Sequence, residues 1–162
     1  MVTPSIKSPS GQWAFLLHRL PREPSAPRIA LWRSLRRLGA VLVSDGLVAL
    51  PASSRTIEHL EWLAAGIEEH GGSASVWLAR PTASENGLRM ADQSRAAAEN
   101  EYLGVIRQAE SALSSPDGDP ARTLRRLRGE LRRIGSRDFF AAPSAGLARK
   151  AVERLSRLEV NA

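Results

Sequence analysis

The sequence predicts an α+β protein: a ferredoxin-like βαββαβ sheet domain followed by a helical C-terminal extension. Three observations carry that expectation. Leu31, Trp32, Leu35 and Leu38 recur at spacings of three and four, with Arg33, Arg36 and Arg37 between them, as in an amphipathic helix. Asp45-Gly46 separates two β-prone apolar runs, and Gly accepts the positive φ of a tight hairpin turn. Beyond Pro81 the composition shifts to alanine, glutamate and arginine at helical spacing.

The elements follow in order. Residues 1–11 (MVTPSIKSPSG) are polar with two prolines and read as a flexible leader. Trp13 to Leu20 (WAFLLHRL) reads as a buried strand that stops at Pro21. Pro21, Pro24 and Pro27 stiffen the next connection, and the arginine helix runs from about Pro27 to Leu38 with Gly39 as its stop. Ala40–Val43 and Leu47–Leu50 form the hairpin. Ser53 or Ser54 caps a second helix reaching about His70, with Ile57, Leu60, Leu63, Ala64 and Ile67 on one face. Ser73–Ala79 is the fourth strand, completing a split β-α-β-β-α-β order whose helices cover one sheet face.

In the extension, Glu85–Leu113 reads as a helix with Tyr102, Ile106, Ala109 and Leu113 along its seam. Ser114–Gly118 breaks it, and Asp119-Pro120 starts another. There Leu124, Leu127, Leu131 and Ile134 form the apolar seam. Asp138-Phe139-Phe140 and Pro143 read as an anchored connector, and Leu147, Ala151, Leu155 and Leu158 as the seam of a last helix. The expected organisation is a sheet domain over 12–81 and a helical extension over 82–162 packed on it.

Composition narrows the chemistry. The 162 residues contain no cysteine, which removes disulfides, thiol nucleophiles and thiolate metal sites. The three histidines fall on different elements, so neither a metal site nor a cofactor is expected. No run approaches the roughly 18 apolar residues that span a bilayer, and the N-terminus lacks the apolar segment of a secretory signal. A cytoplasmic protein without membrane partners is expected. No glycine-rich phosphate loop and no paired carboxylates point to catalysis, so no catalytic residue is assigned.

The net charge of +6 comes mainly from arginine, which suits an anionic partner and equally a solvated arginine surface. Arg28, Trp32 and Arg33 form the first candidate cluster. Arginine beside apolar surface needs a carboxylate or a bound anion to offset its desolvation, so the competing reading is an ion pair with an acid of the extension. The second candidate is the segment Arg122–Arg137, seven arginines against Glu130 alone. Such a stripe fits contacts to nucleic-acid phosphates, and fits equally a solvated face covering apolar neighbours with arginine stems. Trp62 lies among glutamates opposite the apolar face of its helix and calls for cover, from the extension or from a second subunit in a homodimer. Trp13 and Trp77 are core candidates.

WAFLLHRLP, PRIALWRSLRRLGAV, GLVALPAS, EEHGGSASVWLAR and RRIGSRDFFAAP together resemble the N-terminal domain of the chromate resistance protein ChrB family, over about residues 12–158. The shorter pattern LWR…LG…P is similar to the ferredoxin-like core of phenylacetate-type transcriptional repressors. The first resemblance implies a cytoplasmic, chromate-responsive regulator of a chromate resistance operon that binds promoter DNA. It also implies a second, C-terminal chromate-resistance domain, which this chain does not contain. With chromate or a similar oxyanion as effector, Arg28, Arg33 and Trp32 are the candidate anion contacts. Arg36, Arg37, Arg125, Arg126, Arg132 and Arg133 are the candidate DNA contacts. Two alternatives remain: a non-catalytic dimerisation or interaction module, and a remnant ferredoxin-like nuclease, which the absence of an Asp at the end of the first strand argues against.

Overall fold

The computed structural model describes residues 11–114 and 119–160. It is α+β, with a four-stranded antiparallel sheet and five helices in the order β1 (Trp13–Arg19), α1 (Ala26–Leu38), β2 (Val41–Ser44), β3 (Leu47–Pro51), α2 (Ser54–Glu69), β4 (Ser73–Ala79), α3 (Ser84–Ser114), α4 (Pro120–Arg137) and α5 (Ala145–Val160). Apart from Gly11 the expected leader, and most of the break at Ser114–Gly118, lie outside the described residues. Two compact units divide inside α3, Met1–Ser94 and Arg95–Ala162.

In the first unit the strand order is β2-β3-β1-β4, with every neighbouring pair antiparallel. Ala14 faces Leu50 and Leu16 faces Val48 across the β1–β3 ladder, and all four are buried. They share a core with Leu31 and Leu35 of α1 and Leu60, Leu63 and Ile67 of α2. Period-two alternation on the strands and spacing of three and four on the helices place these residues together. Trp13, Phe15 and Leu17 point to the other sheet face, where Trp13 is buried and Leu17 exposed.

The helix ends are built as the sequence implies. Pro27 occupies the first turn of α1, where its missing N–H has no helical partner to lose. Gly39 closes α1 in the left-handed conformation, its N–H donating to Arg36 O at 3.1 Å and that of Ala40 to Leu35 O at 3.0 Å. Ser53 caps α2 in a reciprocal box. Its Oγ accepts from Thr56 N at 3.1 Å, and its own N–H donates to Thr56 Oγ1 at 2.9 Å. Thr56 Oγ1 also donates to Pro51 O at 2.6 Å, tying the start of α2 to the end of β3.

The second unit is a helical assembly. Ala98, Tyr102, Val105 and Ala109 of α3 pack with Leu124, Leu127 and Ile134 of α4 and with Ala148, Ala151, Val152 and Leu155 of α5. Asp119 caps α4 by accepting from Arg122 N at 2.9 Å. Glu101 and Arg137 are joined by an ion pair that links α3 to the end of α4. Asp138 anchors the connector as expected, accepting from Ala142 N at 3.0 and 3.1 Å, and Phe140 is buried.

Three apolar side chains are more exposed in this chain than a core position requires. Trp77 is 59% exposed: β4 is an edge strand, and the ring stands on the sheet face opposite Leu16 and Val76. Trp62 is 76% exposed, because the apolar stripe that buries α2 runs through Leu60, Leu63 and Ile67 and turns Trp62 to solvent. Leu147 is exposed as well, and the α5 seam runs through Ala148, Ala151, Val152 and Leu155 instead. Leu158 lies beyond the residues whose side chains are described.

Candidate functional site

Two clusters of arginine stand out, one in each unit. The first borders an open groove of about 1460 Å³ beside the C-terminal end of β1 and the start of α1. Arg28 and Trp32, one helical turn apart, both line it. Trp32 is 41% exposed, so its ring is a surface of the groove and only Leu31 and Leu35 carry the buried stripe of α1. Arg33, expected with them, is exposed but does not line the groove, since one residue of advance turns it about 100° around the helix. Arg19 and Arg22 line it in its place, and neither was singled out from sequence. For Arg22 the available signal was its place in the proline-flanked run Pro21-Arg22-Glu23-Pro24, immediately before the helix start.

Among the described residues no salt bridge involves Arg19, Arg22, Arg28 or Arg33. Asp45, at the hairpin tip, lines the same groove and makes no ion pair with any of them. His18 is beside it: its backbone N–H donates to Gly46 O at 2.7 Å, and its Nε2 is sealed from solvent with no hydrogen-bond partner among the described residues. Burial lowers the His18 imidazole below its ordinary value, and the negative charge of Asp45 pulls it partly back.

The second cluster is the outer face of α4. Leu124, Leu127 and Ile134 are buried, and Arg125, Arg126, Arg132 and Arg133 are all exposed on the opposite side. Arg122, which opens the arginine segment read from sequence but is not among the four α4 contacts named there, joins the same face at spacings of three and four. Gly129 lies in the middle of this stripe. A Cβ built there would stand 3.5 Å from Arg133 Nη1 and 3.9 Å from Arg132 Nη2, so the two guanidiniums converge over the bare backbone. Arg126 is engaged by Gln108 and by Glu130 at 3.3 Å, whereas Arg122, Arg125, Arg132 and Arg133 make no ion pair among the described residues. Arg137 is a structural residue through Glu101, and Arg128 donates to Ser156 Oγ at 2.9 Å. Arg36 and Arg37 are exposed on α1, with Arg37 donating to Ser34 Oγ at 3.1 Å.

Among the described residues no group of three or more His, Asp or Glu side chains could hold a metal ion, and no helix is long and apolar enough to cross a membrane. The fold and this charge define a class: an α+β chain that displays arginine from a groove at the sheet and from a separate helical unit. The chain belongs to the ChrB N-terminal family, whose description, Protein ChrB, N-terminal, matches residues 28–113, more than half of the sequence. Protein ChrB of Cupriavidus metallidurans is 29% identical over an alignment of 137 residues that covers 82% of this chain and 42% of that protein. The chain therefore spans less than half the length of that relative. No solved structure matches it.

Proposed function

We propose that this chain is the N-terminal part of a cytoplasmic, non-catalytic, chromate-responsive transcriptional regulator of a chromate resistance operon, binding promoter DNA through α4. Family membership supplies the biological class, and one observation carries the DNA reading: Arg122, Arg125, Arg132 and Arg133 share an exposed helix face without ion-pair partners among the described residues. Like charges gathered in this way repel each other, and a row of phosphates relieves the repulsion. Arg36, Arg37 and Arg126 are secondary contacts in this reading.

Chromate, a tetrahedral dianion, suits the guanidinium fork of Arg28 through charge-assisted hydrogen bonds. Arg28 and Trp32 are the retained oxyanion contacts, and Arg33 is a weaker candidate because it lies off the groove. The strand order β2-β3-β1-β4, antiparallel throughout, supports reading the sheet as the ferredoxin-like split arrangement, with 12–81 as the sheet domain and 82–162 as its helical extension. A second reading, a dimerisation or interaction module, is favoured by edge strand β4, where Trp77 and Leu78 are both more than half exposed.

The test is fluorescence anisotropy of a labelled promoter duplex from the neighbouring operon, beside a scrambled duplex, with and without chromate. Specific binding that chromate releases supports the regulator. Absence of binding at low salt leaves the interaction module. Chromate affinity by titration calorimetry should fall in Arg28→Ala and persist in Arg125→Ala; equal affinities in the two variants would remove the oxyanion assignment.

A further inference from the structure

The groove is far larger than one tetrahedral oxyanion requires, since pockets of about 300–1,000 Å³ already hold drug-sized ligands. Its chemistry is also more varied than an oxyanion needs. Arg19, Arg22 and Arg28 offer positive charge, Trp32 offers an exposed aromatic surface with Ile29 beside it, and Asp45 offers a hydrogen-bond acceptor. A ligand that was anionic throughout would be repelled by Asp45. One that was apolar throughout would leave three arginines unanswered. The lining asks for a molecule with an anionic end, a flat ring and N–H or O–H donors.

We propose that this groove binds a nucleotide unit, with phosphate held by Arg28 and its neighbours Arg22 and Arg19, the base laid on Trp32, and a base or sugar donor directed to Asp45. The inference rests on the reading of Arg28 and Trp32 as anion contacts and extends it to a ligand class. Arginine presents a planar fork that matches phosphate, and every base has a face that stacks on an aromatic ring. The same unit occurs as a free nucleotide or within a single strand, whereas a paired duplex keeps its bases stacked away from such a ring.

The experiment is isothermal titration of the full 162-residue chain with AMP, inorganic phosphate, chromate and a short oligodeoxyadenylate, repeated in Trp32→Ala, Trp32→Phe and Arg28→Ala. Trp32 is on the surface, so its replacement leaves the core intact, and Trp32→Phe retains a stacking ring. AMP is expected to bind about tenfold more tightly than phosphate, an advantage lost in Trp32→Ala and kept in Trp32→Phe. Arg28→Ala is expected to weaken AMP and phosphate together. If only the oligodeoxyadenylate shows this dependence on Trp32, the nucleotide is recognised within a strand. If neither exceeds phosphate, or Trp32→Ala changes nothing, the proposal is overturned. Chromate binding sensitive to Arg28→Ala without any preference for AMP overturns this inference alone. Loss of Arg28 dependence for every anion removes the underlying anion reading as well.

Discussion

The carboxylate of Glu99 on α3 accepts hydrogen bonds from both the backbone N–H and the hydroxyl of Ser144, the residue that precedes α5. Ser144 is buried, and its own carbonyl accepts from Ala148 N at 2.9 Å, so one side chain of α3 secures the start of α5. Hydrogen bonds to a charged group contribute more than neutral ones, and a buried Ser left without its acceptor is costly. Glu99→Ala is therefore expected to lower unfolding free energy by about 2 kcal/mol in urea titration, and Glu99→Gln by less. A change below the noise would show that Ser144 finds another acceptor.

His18 should make stability depend on pH. Its imidazole is held neutral by burial, so its pKa in the folded chain lies below the ordinary value of 6.5. As pH falls below that value the unfolded chain takes up the proton first, and the stability present above it drains away until the folded pKa is passed. Melting temperatures measured from about pH 8 to pH 5 should fall for the native chain, and fall less for His18→Gln. Parallel curves for the two proteins would remove His18 as the source.

The hairpin tip is tight. Gly46 has φ 73°, and a Cβ there would stand 2.6 Å from the carbonyl oxygen of His18, the residue whose backbone N–H anchors the turn to β1. Gly46→Ala combines left-handed backbone with a main-chain clash, and is expected to cost about 2 kcal/mol or more in urea titration. An unchanged midpoint would contradict the close approach.

The two tryptophans Trp13 and Trp62 should behave oppositely. Trp13 is fully buried in the sheet unit, and truncation to Ala is expected to cost about 3–5 kcal/mol. Trp62 stands in solvent, so Trp62→Gln is expected to stay within about 0.5 kcal/mol of the native chain. Denaturation midpoints of both variants check the pair.

Strands, helices and their stops were legible in the sequence because each is set by local chemistry: Gly39 and Pro81 punctuate, Ser53 and Asp119 cap, and apolar spacing selects the period. What escaped is what depends on neighbours. Trp77 alternates correctly on its strand, but its exposure follows from β4 lying at the sheet edge and from what covers that face. Arg28 and Trp32 could be paired from helical spacing alone, whereas Arg19 and Arg22 reach the same groove only through the path of the loop after β1. Likewise the arginine run of α4 was visible as composition. The Arg126–Glu130 pair follows from i,i+4 spacing on α4, but the engagement of Arg126 by Gln108 and of Arg137 by Glu101 required the packed helices.

The α4 stripe is the centre of the account, and the slope of duplex affinity against salt tests it most directly. Each phosphate contact steepens the fall of log affinity with log salt by about 0.9. The slope should be measured for the native chain, for Arg132→Gln/Arg133→Gln, and for Arg128→Gln as a control outside the unpaired stripe. A shallower slope, by about two, is expected in the double variant only. Equal slopes in all three proteins would contradict a DNA interface on α4.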